Sequence, residues 1–191
     1  MKNRNGLTRR ELLYRGMLSA GFLGVIGVHE SWGAEVAGQS AGFVMIESFD
    51  PAGKSTGLAR VAKVQKTDAE WHKQLSPDSF VVTRQAGTER AFSGALWNQH
   101  ADGLYHCICC DTIVYDSRTK FESGTGWPSF WAPKSKHNIV ERSDRGFGME
   151  RTAVSCALCD AHLGHVFDDG PQPTGLRYCM NSVALKFIAR A

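Results

Sequence analysis

Four of the six cysteines in this 191-residue chain form two pairs with the spacing of metal ligands. The pairs are Cys107-x-x-Cys110 and Cys156-x-x-Cys159, separated by 45 residues. Each C-x-x-C turn brings two thiolates to one side of a tight bend, and two such turns supply the four ligands of tetrahedral Zn²⁺. Since four thiolates fill the coordination shell, we expect one structural zinc ion per chain. Two disulfides are the alternative if the protein works in an oxidising compartment.

A fifth cysteine, Cys179, has neighbours that suit a nucleophile. In an extended strand, Arg177, Cys179 and Asn181 would share one face. The guanidinium would lower the pKa of the thiol, and the thiolate is the reactive form of cysteine. On this segment alone, a small buried core cysteine is the alternative.

The sixth cysteine, Cys109, lies between the two members of the first pair. Three roles are open for it: an inert filler of the turn, a substitute metal ligand, or a second redox thiol. The sequence does not separate these roles.

Two further segments are dense in groups that could surround a nucleophile. Residues 123–131 carry Trp127 on a backbone of Gly and Pro, which suits an exposed apolar wall, although such aromatics can also plug a core. Residues 162–171 directly follow the second cysteine pair and are predicted to be a loop that carries His162 and His165. With the zinc shell filled, these histidines are predicted to be a proton donor and acceptor pair, or polar loop residues.

The elements that must position these groups are predicted to be short. Residues 67–70 read Thr-Asp-Ala-Glu, a capping box that begins a helix with Trp71 and Leu75 on one apolar face. Pro77 predicts the first turn of a second short helix, which ends by about residue 84. Residues 38–66 are predicted to be a loop-rich entry. The better strand candidates are residues 105–108, 113–115, 138–141, 149–155 and 177–187.

The composition is that of a folded domain, with 42% hydrophobic and 21% charged residues. The net charge is +3, but residues 1–33 hold five basic and two acidic residues and so contain the whole surplus. The neutral remainder lacks the electrostatic footprint of a nucleic-acid-binding protein.

The N-terminus has the order of an export signal. Arg9-Arg10 resembles a twin-arginine signal, and the apolar run at residues 16–28 has the length of a signal h-region and is too short to span a bilayer comfortably. We therefore expect residues 1–33 to be a cleaved signal, with no stable membrane anchor and a periplasmic destination. Residues 34–63 would be a linker or extension, and residues 64–191 the functional domain. An amphipathic or buried N-terminal helix is the alternative.

Three runs of sequence are distinctive in combination. They are YHCICCD at residues 105–111, SGTGWPSF at 123–130 and CALCDAHLGHVFDDGPQPTGLRYCMNS at 156–182. Together they resemble the methionine-R-sulfoxide reductase family, over roughly residues 64–188. The resemblance implies a mainly β fold with two small antiparallel sheets (a β-tent, as in Mss4-like proteins), short N-terminal helices and a structural zinc site.

The resemblance also implies an activity, the thiol-dependent reduction of methionine R-sulfoxide, mainly in proteins. For an exported protein this means repair of oxidised exported proteins. Cys179 would attack the sulfoxide sulfur and be left as a sulfenic acid, while His162 or His165 would help to protonate the oxygen and Asn181 would add a hydrogen bond. The remaining implied positions are Trp127 at the substrate methyl group, Arg177 and Asp169 in the charge balance, and Cys107, Cys110, Cys156 and Cys159 as zinc ligands.

One position departs from the best-known pattern of the family. Many members carry a resolving cysteine where this chain has Thr125, so the familiar disulfide with Cys179 cannot form. Either Cys109 or an external thiol must then reduce the sulfenic acid. We expect the external thiol, from a thioredoxin-like or other reductant, because movement of Cys109 would disturb a zinc turn. The expected partners are this reductant and oxidised proteins or peptides, with no nucleic acid, and the chain is expected to be a monomer.

Two other functions compete with this one. A zinc-knuckle binding module without catalysis explains the four paired cysteines but gives no reason for Cys179, Trp127 and the two histidines to occur together. A peroxidase or general thiol oxidoreductase uses Cys179 but leaves the apolar wall without a substrate.

Overall fold

The computed structural model describes residues 42–144 and 150–190. The predicted export signal at residues 1–33 lies outside this part of the chain, as does Met149 at the start of a predicted strand. In the described part, the helices are α1 (Asp68–Gln74) and α2 (Pro77–Gln85). The strands are β1 (Phe43–Phe49), β2 (Ser55–Ala62), β3 (Gly103–Cys107), β4 (Ile113–Asp116), β5 (Lys120–Phe121), β6 (Ser129–Phe130), β7 (Ile139–Asp144), β8 (Arg151–Cys156), β9 (His162–Phe167), β10 (Arg177–Met180) and β11 (Leu185–Ala189).

Two antiparallel sheets and a separate hairpin make up the fold. The larger sheet has the order β5-β6-β10-β9-β8-β7, the smaller one has the order β11-β3-β4, and β1 pairs with β2. The predicted mainly β architecture with two antiparallel sheets is confirmed, with the hairpin as an addition. Within the described residues, no helix combines the length and the apolar character that crossing a membrane requires.

Aromatic side chains fill the space between the two sheets. Phe130 of the larger sheet stacks on Tyr115 of the smaller sheet at 4.5 Å between ring centroids, and meets Tyr105 edge-on at 4.9 Å. Tyr178, also from the larger sheet, lies 5.9 Å from Tyr115. All four rings are buried, and edge-to-face and offset contacts of this kind add to the free energy gained from apolar burial. Tyr178 therefore packs into the core, and the alternation of β10 sends its neighbour Cys179 to the opposite face.

The two predicted helices are confirmed with their caps. Thr67 Oγ1 accepts the N–H of Glu70 at 3.3 Å, and Glu70 Oε2 accepts the N–H of Thr67 at 2.8 Å, so the capping box is complete. Pro77 opens α2, where Ser76 caps the first turn. Trp71 is buried, which places α1 against the domain through the predicted apolar face.

The loop-rich interpretation of residues 38–66 is wrong for most of that segment, because β1 and β2 form a hairpin there. Of the glycine and proline signals, Pro51 and Gly53 mark its turn, where the N–H of Gly53 donates to the carbonyl of Asp50, whereas Gly57 lies within β2. The hairpin is held by the buried side chain of Asn138. Its Oδ1 accepts the N–H of Glu47, and its amide donates to the carbonyl oxygens of Glu47 and Ile113.

Two further predictions differ from the structure. Residues 177–187 are not one strand, because a 3₁₀ turn at Ser182–Ala184 separates β10 from β11. Residues 162–167 are strand β9 and not a loop. Gly164 conceals this strand in the sequence, because it breaks the apolar pattern. The glycine is required there, since a Cβ at this position would lie 2.1 Å from the carbonyl oxygen of Cys179 in β10.

Candidate active site and metal centre

The four paired cysteines converge on one point. Their Sγ atoms all lie within 4.8 Å of one another, with 3.6 Å between Cys107 and Cys159 and 3.5 Å between Cys110 and Cys156. Thiolates around a zinc ion with bonds of about 2.3 Å are about 3.8 Å apart, so these separations fit a tetrahedral ion. All six cysteines are free thiols in this structure, so none of them forms the disulfides considered as the alternative.

The two cysteine turns have the same local backbone. In the first, the N–H of Asp111 donates to the carbonyl of Cys107, and in the second the N–H of Asp160 donates to the carbonyl of Cys156. Both aspartates have positive φ, +63° and +56°, which lets each turn close tightly. The first turn follows β3 and the second joins β8 to β9. The four converging thiols therefore join the smaller sheet to the larger one, directly beside the strand that carries the two histidines.

Cys109 belongs to the metal centre and not to the surroundings of Cys179. It is buried, and its thiol lies beside Cys107, Cys159 and the hydroxyl of Thr83. Different groups surround Cys179, as described next. The structure thus places Cys109 beside the four converging thiols and does not distinguish a filler from a substitute ligand.

Cys179 occupies the middle of the larger sheet. It is paired with Ser129 of β6 on one side and with His165 of β9 on the other. Directly paired residues of antiparallel strands lie on the same face, so the three side chains form a row. The thiol has Thr125, Ser129 and Arg177 within hydrogen-bonding reach.

Two opposing effects act on the Cys179 thiol. Burial raises its pKa above the ordinary value, because a thiolate is costly in a poorly solvated site. The Arg177 cation and the neighbouring hydroxyls lower that pKa in opposition, because they interact favourably with the thiolate. The predicted relation between Arg177 and Cys179 is present, but burial is the larger effect.

A pocket of about 140 Å³ opens above Cys179. Apolar walls come from Trp127 and Phe167, and a cation comes from Arg151. The complete lining is Thr88, Trp127, Arg151, Gly164, His165, Phe167, Cys179 and Asn181. The structure thus brings together four of the predicted site residues around a small, partly apolar cavity with the Cys179 thiol at one side.

The two histidines have different surroundings. His165 lines the pocket, and its Nε2 lies 2.9 Å from Oδ2 of Asp144. Because an ionised carboxylate only accepts, this nitrogen carries the hydrogen of the pair. His162 packs edge-on against His165, is 6% exposed, and its Nε2 has no hydrogen-bond partner in the described residues. Burial lowers the pKa of His162 to about 4, with a further contribution from His165.

Arg177 is held by the predicted carboxylate. Its Nε and one terminal nitrogen donate to the two carboxylate oxygens of Asp169, each at 2.8 Å, and its guanidinium lies 4.4 Å from the ring centre of Phe167. The guanidinium lowers the pKa of Asp169, chiefly through these hydrogen bonds. Asp169 therefore orients Arg177 beside Cys179 and does not itself reach the pocket lining.

The side chain of Asn181 is committed to the framework of the site. Its Oδ1 accepts the N–H of Glu89 at 3.0 Å, and its amide donates to the carbonyl of Leu163 at 3.0 Å. One amide hydrogen is left beside the pocket. Asn181 thus fixes the two segments that flank Cys179, in addition to lining the cavity.

Glu89 is a site residue that the sequence reasoning missed. Its carboxylate accepts the backbone N–H groups of Ser182 and Val183, and its carbonyl accepts the indole N–H of Trp127 at 3.1 Å. One residue therefore positions Trp127 and the turn after Asn181. Its contacts lie between 38 and 94 positions away in sequence, so no local pattern marks it. Ser129, Thr88, Arg151 and Phe167 were missed for the same reason.

The comparisons with known proteins agree with one another. Residues 75–189 match the family described as the SelR domain. The chain is 57% identical over 129 residues to the peptide methionine sulfoxide reductase MsrB of Pseudomonas syringae pv. syringae strain B728a, covering 68% of this chain and 98% of that protein. It is 54% identical over 127 residues to the protein of the same name from Herminiimonas arsenicoxydans, covering 66% and 93%. It is also 57% identical over 120 residues to the chloroplastic peptide methionine sulfoxide reductase B1 of Oryza sativa subsp. japonica, covering 63% and 56%.

The buried position of His162 predicts a specific pH dependence. Because its pKa is lowered in the folded protein, its contribution to folding stability is complete above about pH 6.5 and is lost as the pH falls towards about 4. NMR titration of the imidazole resonances should give a midpoint near pH 4 for His162, assigned by comparison with His162→Asn. A midpoint near 6.5 would show that the ring is solvated and would contradict this placement.

Proposed function

The chain belongs to the SelR family, the methionine-R-sulfoxide reductases, and we propose that it reduces the R epimer of methionine sulfoxide with Cys179 as the nucleophile. Membership makes the protein an oxidoreductase that acts on methionine sulfoxide. The observation that carries the proposed mechanism is the row of Ser129, Cys179 and His165 beside the pocket that Trp127 encloses. It places a nucleophile, a proton carrier and an apolar wall around one small cavity.

The first chemical step transfers oxygen from the substrate to Cys179. The thiolate gives an electron pair to the sulfoxide sulfur, the sulfoxide oxygen takes up a proton and passes to Cys179, and methionine leaves. Methionine sulfur gains the two electrons that the cysteine sulfur loses, so the products are methionine and a Cys179 sulfenic acid.

His165 is the proton carrier that the geometry favours. Its ring lies next to Cys179 in the sheet and lines the pocket, and Asp144 fixes its orientation through Nε2. The other ring nitrogen, Nδ1, is then left to exchange a proton. His162 does not line the pocket, and its lowered pKa keeps it neutral at pH 7. We assign it the role of supporting the His165 ring.

Arg177 and Trp127 prepare the Cys179 thiolate and the bound substrate before the oxygen transfer. The Arg177 cation counteracts the effect of burial on Cys179 and so increases the fraction of the reactive thiolate. Trp127, held by the carbonyl of Glu89, offers an apolar surface for the substrate methyl group. The methyl group would then face Trp127, and the oxygen on the same sulfur would face His165. This difference gives a basis for selecting one epimer.

The second half of the cycle uses external thiols. The groups within reach of the Cys179 thiol are Thr125, Ser129 and Arg177, while Cys109 lies beside the metal ligands. A first external thiol condenses with the sulfenic acid to a mixed disulfide and releases water. A second thiol then restores Cys179 and leaves as part of the reductant's disulfide.

We propose protein-bound methionine sulfoxide as the main substrate. The cavity of about 140 Å³ accommodates a side chain and not a folded partner. The relatives in the comparison are named peptide methionine sulfoxide reductases, which supports the same substrate class.

We propose that the converging thiols of Cys107, Cys110, Cys156 and Cys159 hold one Zn²⁺ per chain. A thiolate-only donor set within 4.8 Å favours zinc over oxygen-preferring cations. The ion would supply structure and no reaction chemistry, because its shell has no free position. Elemental analysis of the purified protein should give about one zinc per chain.

The location of the protein is a separate proposal that depends on residues 1–33. A twin-arginine-like pair before a short apolar run supports export to the periplasm, where the protein would repair oxidised exported proteins. Replacing Arg9 and Arg10 by lysine should retain the protein in the cytoplasmic fraction, whereas the unchanged chain should appear in the periplasmic fraction at a smaller mass. Equal distribution of both forms would contradict the proposal.

Turnover of the two epimers of a methionine-sulfoxide peptide tests the proposed function. With dithiothreitol as reductant, the zinc-loaded protein should reduce the R epimer only, and Cys179→Ser should abolish turnover because it removes the nucleophile. Cys109→Ser is the matched control and should retain turnover. Absence of turnover by folded, zinc-loaded protein would contradict the enzyme function and favour the zinc-knuckle binding module.

A further inference from the structure

Three hydroxyl groups form a connected cluster beside Cys179. Ser123 Oγ lies 2.8 Å from Thr125 Oγ1 and 2.8 Å from Ser129 Oγ. Ser129 is fully buried and its hydroxyl also lies 3.2 Å from the carbonyl of Trp127. We refer to Ser123, Thr125 and Ser129 as the hydroxyl cluster.

Two members of the cluster reach the reactive sulfur. Ser129 is paired with Cys179 across the sheet, and the hydroxyls of Thr125 and Ser129 are both within hydrogen-bonding reach of the thiol. We propose that the hydroxyl cluster is a set of rotating donors that stabilises the Cys179 thiolate, with Thr125 and Ser129 as catalytic residues and Ser123 as the positioning residue that links them. The proposal deepens the proposed function and rests on it, since it concerns the same nucleophile.

The three hydroxyl hydrogens of the cluster can be assigned to hydrogen bonds in both states of Cys179, the thiol and the thiolate. When Cys179 is a thiol, Ser129 can donate to the Trp127 carbonyl, Ser123 to Ser129 and Thr125 to Ser123, so all three hydrogens are used. When Cys179 is a thiolate, Ser129 turns to donate to sulfur, Ser123 still donates to Ser129, and Thr125 is free to donate to sulfur as well. Only rotation about C–O bonds is needed.

The charged groups that face Cys179 are fixed by other partners, which makes the hydroxyls the adaptable donors. Arg177 is held by both oxygens of Asp169, and His165 and Arg151 both bind Asp144. These contacts would hold the three side chains in place when Cys179 changes charge. The hydroxyl cluster lies on the other side of the sulfur, on β6 and the segment before it, and offers uncharged donors that can follow the change.

The proposal gives Thr125 a role of its own, in addition to replacing a resolving cysteine. Its side chain stands where many members of the family carry the resolving thiol. Its hydroxyl offers a hydrogen bond to the sulfur of Cys179. A donor at this position stabilises the thiolate through hydrogen bonding to its charge, a type of contact stronger than one between neutral groups. The chain therefore retains a polar contact to Cys179 at a position where it cannot form a disulfide.

The pH dependence of Cys179 alkylation tests the proposal without using sulfoxide turnover. Full-length, zinc-loaded protein is treated with iodoacetamide across a pH series, and tryptic cleavage after Arg177 and Lys186 yields a peptide that contains Cys179 as its only cysteine. Thr125→Val removes the hydroxyl at constant shape, and Thr125→Ser keeps it. Ser129→Ala and Ser123→Ala remove the other two hydroxyls.

The proposal predicts that Thr125→Val and Ser129→Ala each raise the midpoint of alkylation by about one pH unit, which is about a tenfold slower reaction at pH 7. Ser123→Ala should shift the midpoint in the same direction by less. Thr125→Ser should restore the wild-type midpoint, and Thr56→Val, which removes an exposed hydroxyl of β2, should leave it unchanged.

An unchanged midpoint in Thr125→Val would overturn the proposal, as would an unchanged midpoint in folded Ser129→Ala. Zinc content and circular dichroism of each variant establish folding. If Ser129→Ala does not fold, the comparison of Thr125→Val with Thr125→Ser tests the proposal. Sulfoxide turnover is measured on the same preparations. An inactive wild type with the predicted midpoint shifts would contradict the proposed function while leaving the hydroxyl cluster intact.

Discussion

The pairing of β10 on both of its edges is the constraint on which the site depends. It sets Cys179 between Ser129 and His165 and sends Tyr178 into the aromatic core, so a slip of one residue would exchange Cys179 with a core side chain. Gly164 permits the close approach of β9 that fixes this register. The Cys179 sulfur is thus located by backbone pairing, and the charged and hydroxyl side chains around it adjust its pKa.

The proposed metal centre joins the strands that this pairing requires. Its two turns end β3 and β8, so the ligands connect the two sheets whose aromatic side chains form the core. The second turn leads directly into β9, which presents His165 to Cys179. Glu89 completes the arrangement from the other side by binding the turn after Asn181 and the indole of Trp127. The proposed structural ion and the partly buried carboxylate of Glu89 would therefore support the site without taking part in the reaction.

Local patterns predicted the parts of the molecule that depend on near neighbours in sequence. The capping box, the proline at the start of α2 and the two cysteine turns are complete within a few residues, so their sequence signals sufficed. The hairpin of β1 and β2 was missed because contacts that hold it to the domain come from Asn138, far along the chain. Strand β9 was missed because Gly164 serves contact with β10 and not local propensity. The family resemblance named most of the site, but the roles of Glu89 and Ser129 depend on long-range pairing that no motif encodes.

A single turnover without reductant tests the role of Cys179 most directly. Reduced, zinc-loaded protein is mixed with one equivalent of the R epimer of a methionine-sulfoxide peptide, and sulfenic acid is trapped with dimedone before peptide mass spectrometry. The account predicts about one methionine formed per chain and a dimedone adduct on Cys179 alone. An adduct on another cysteine, or a disulfide between Cys109 and Cys179, would contradict it.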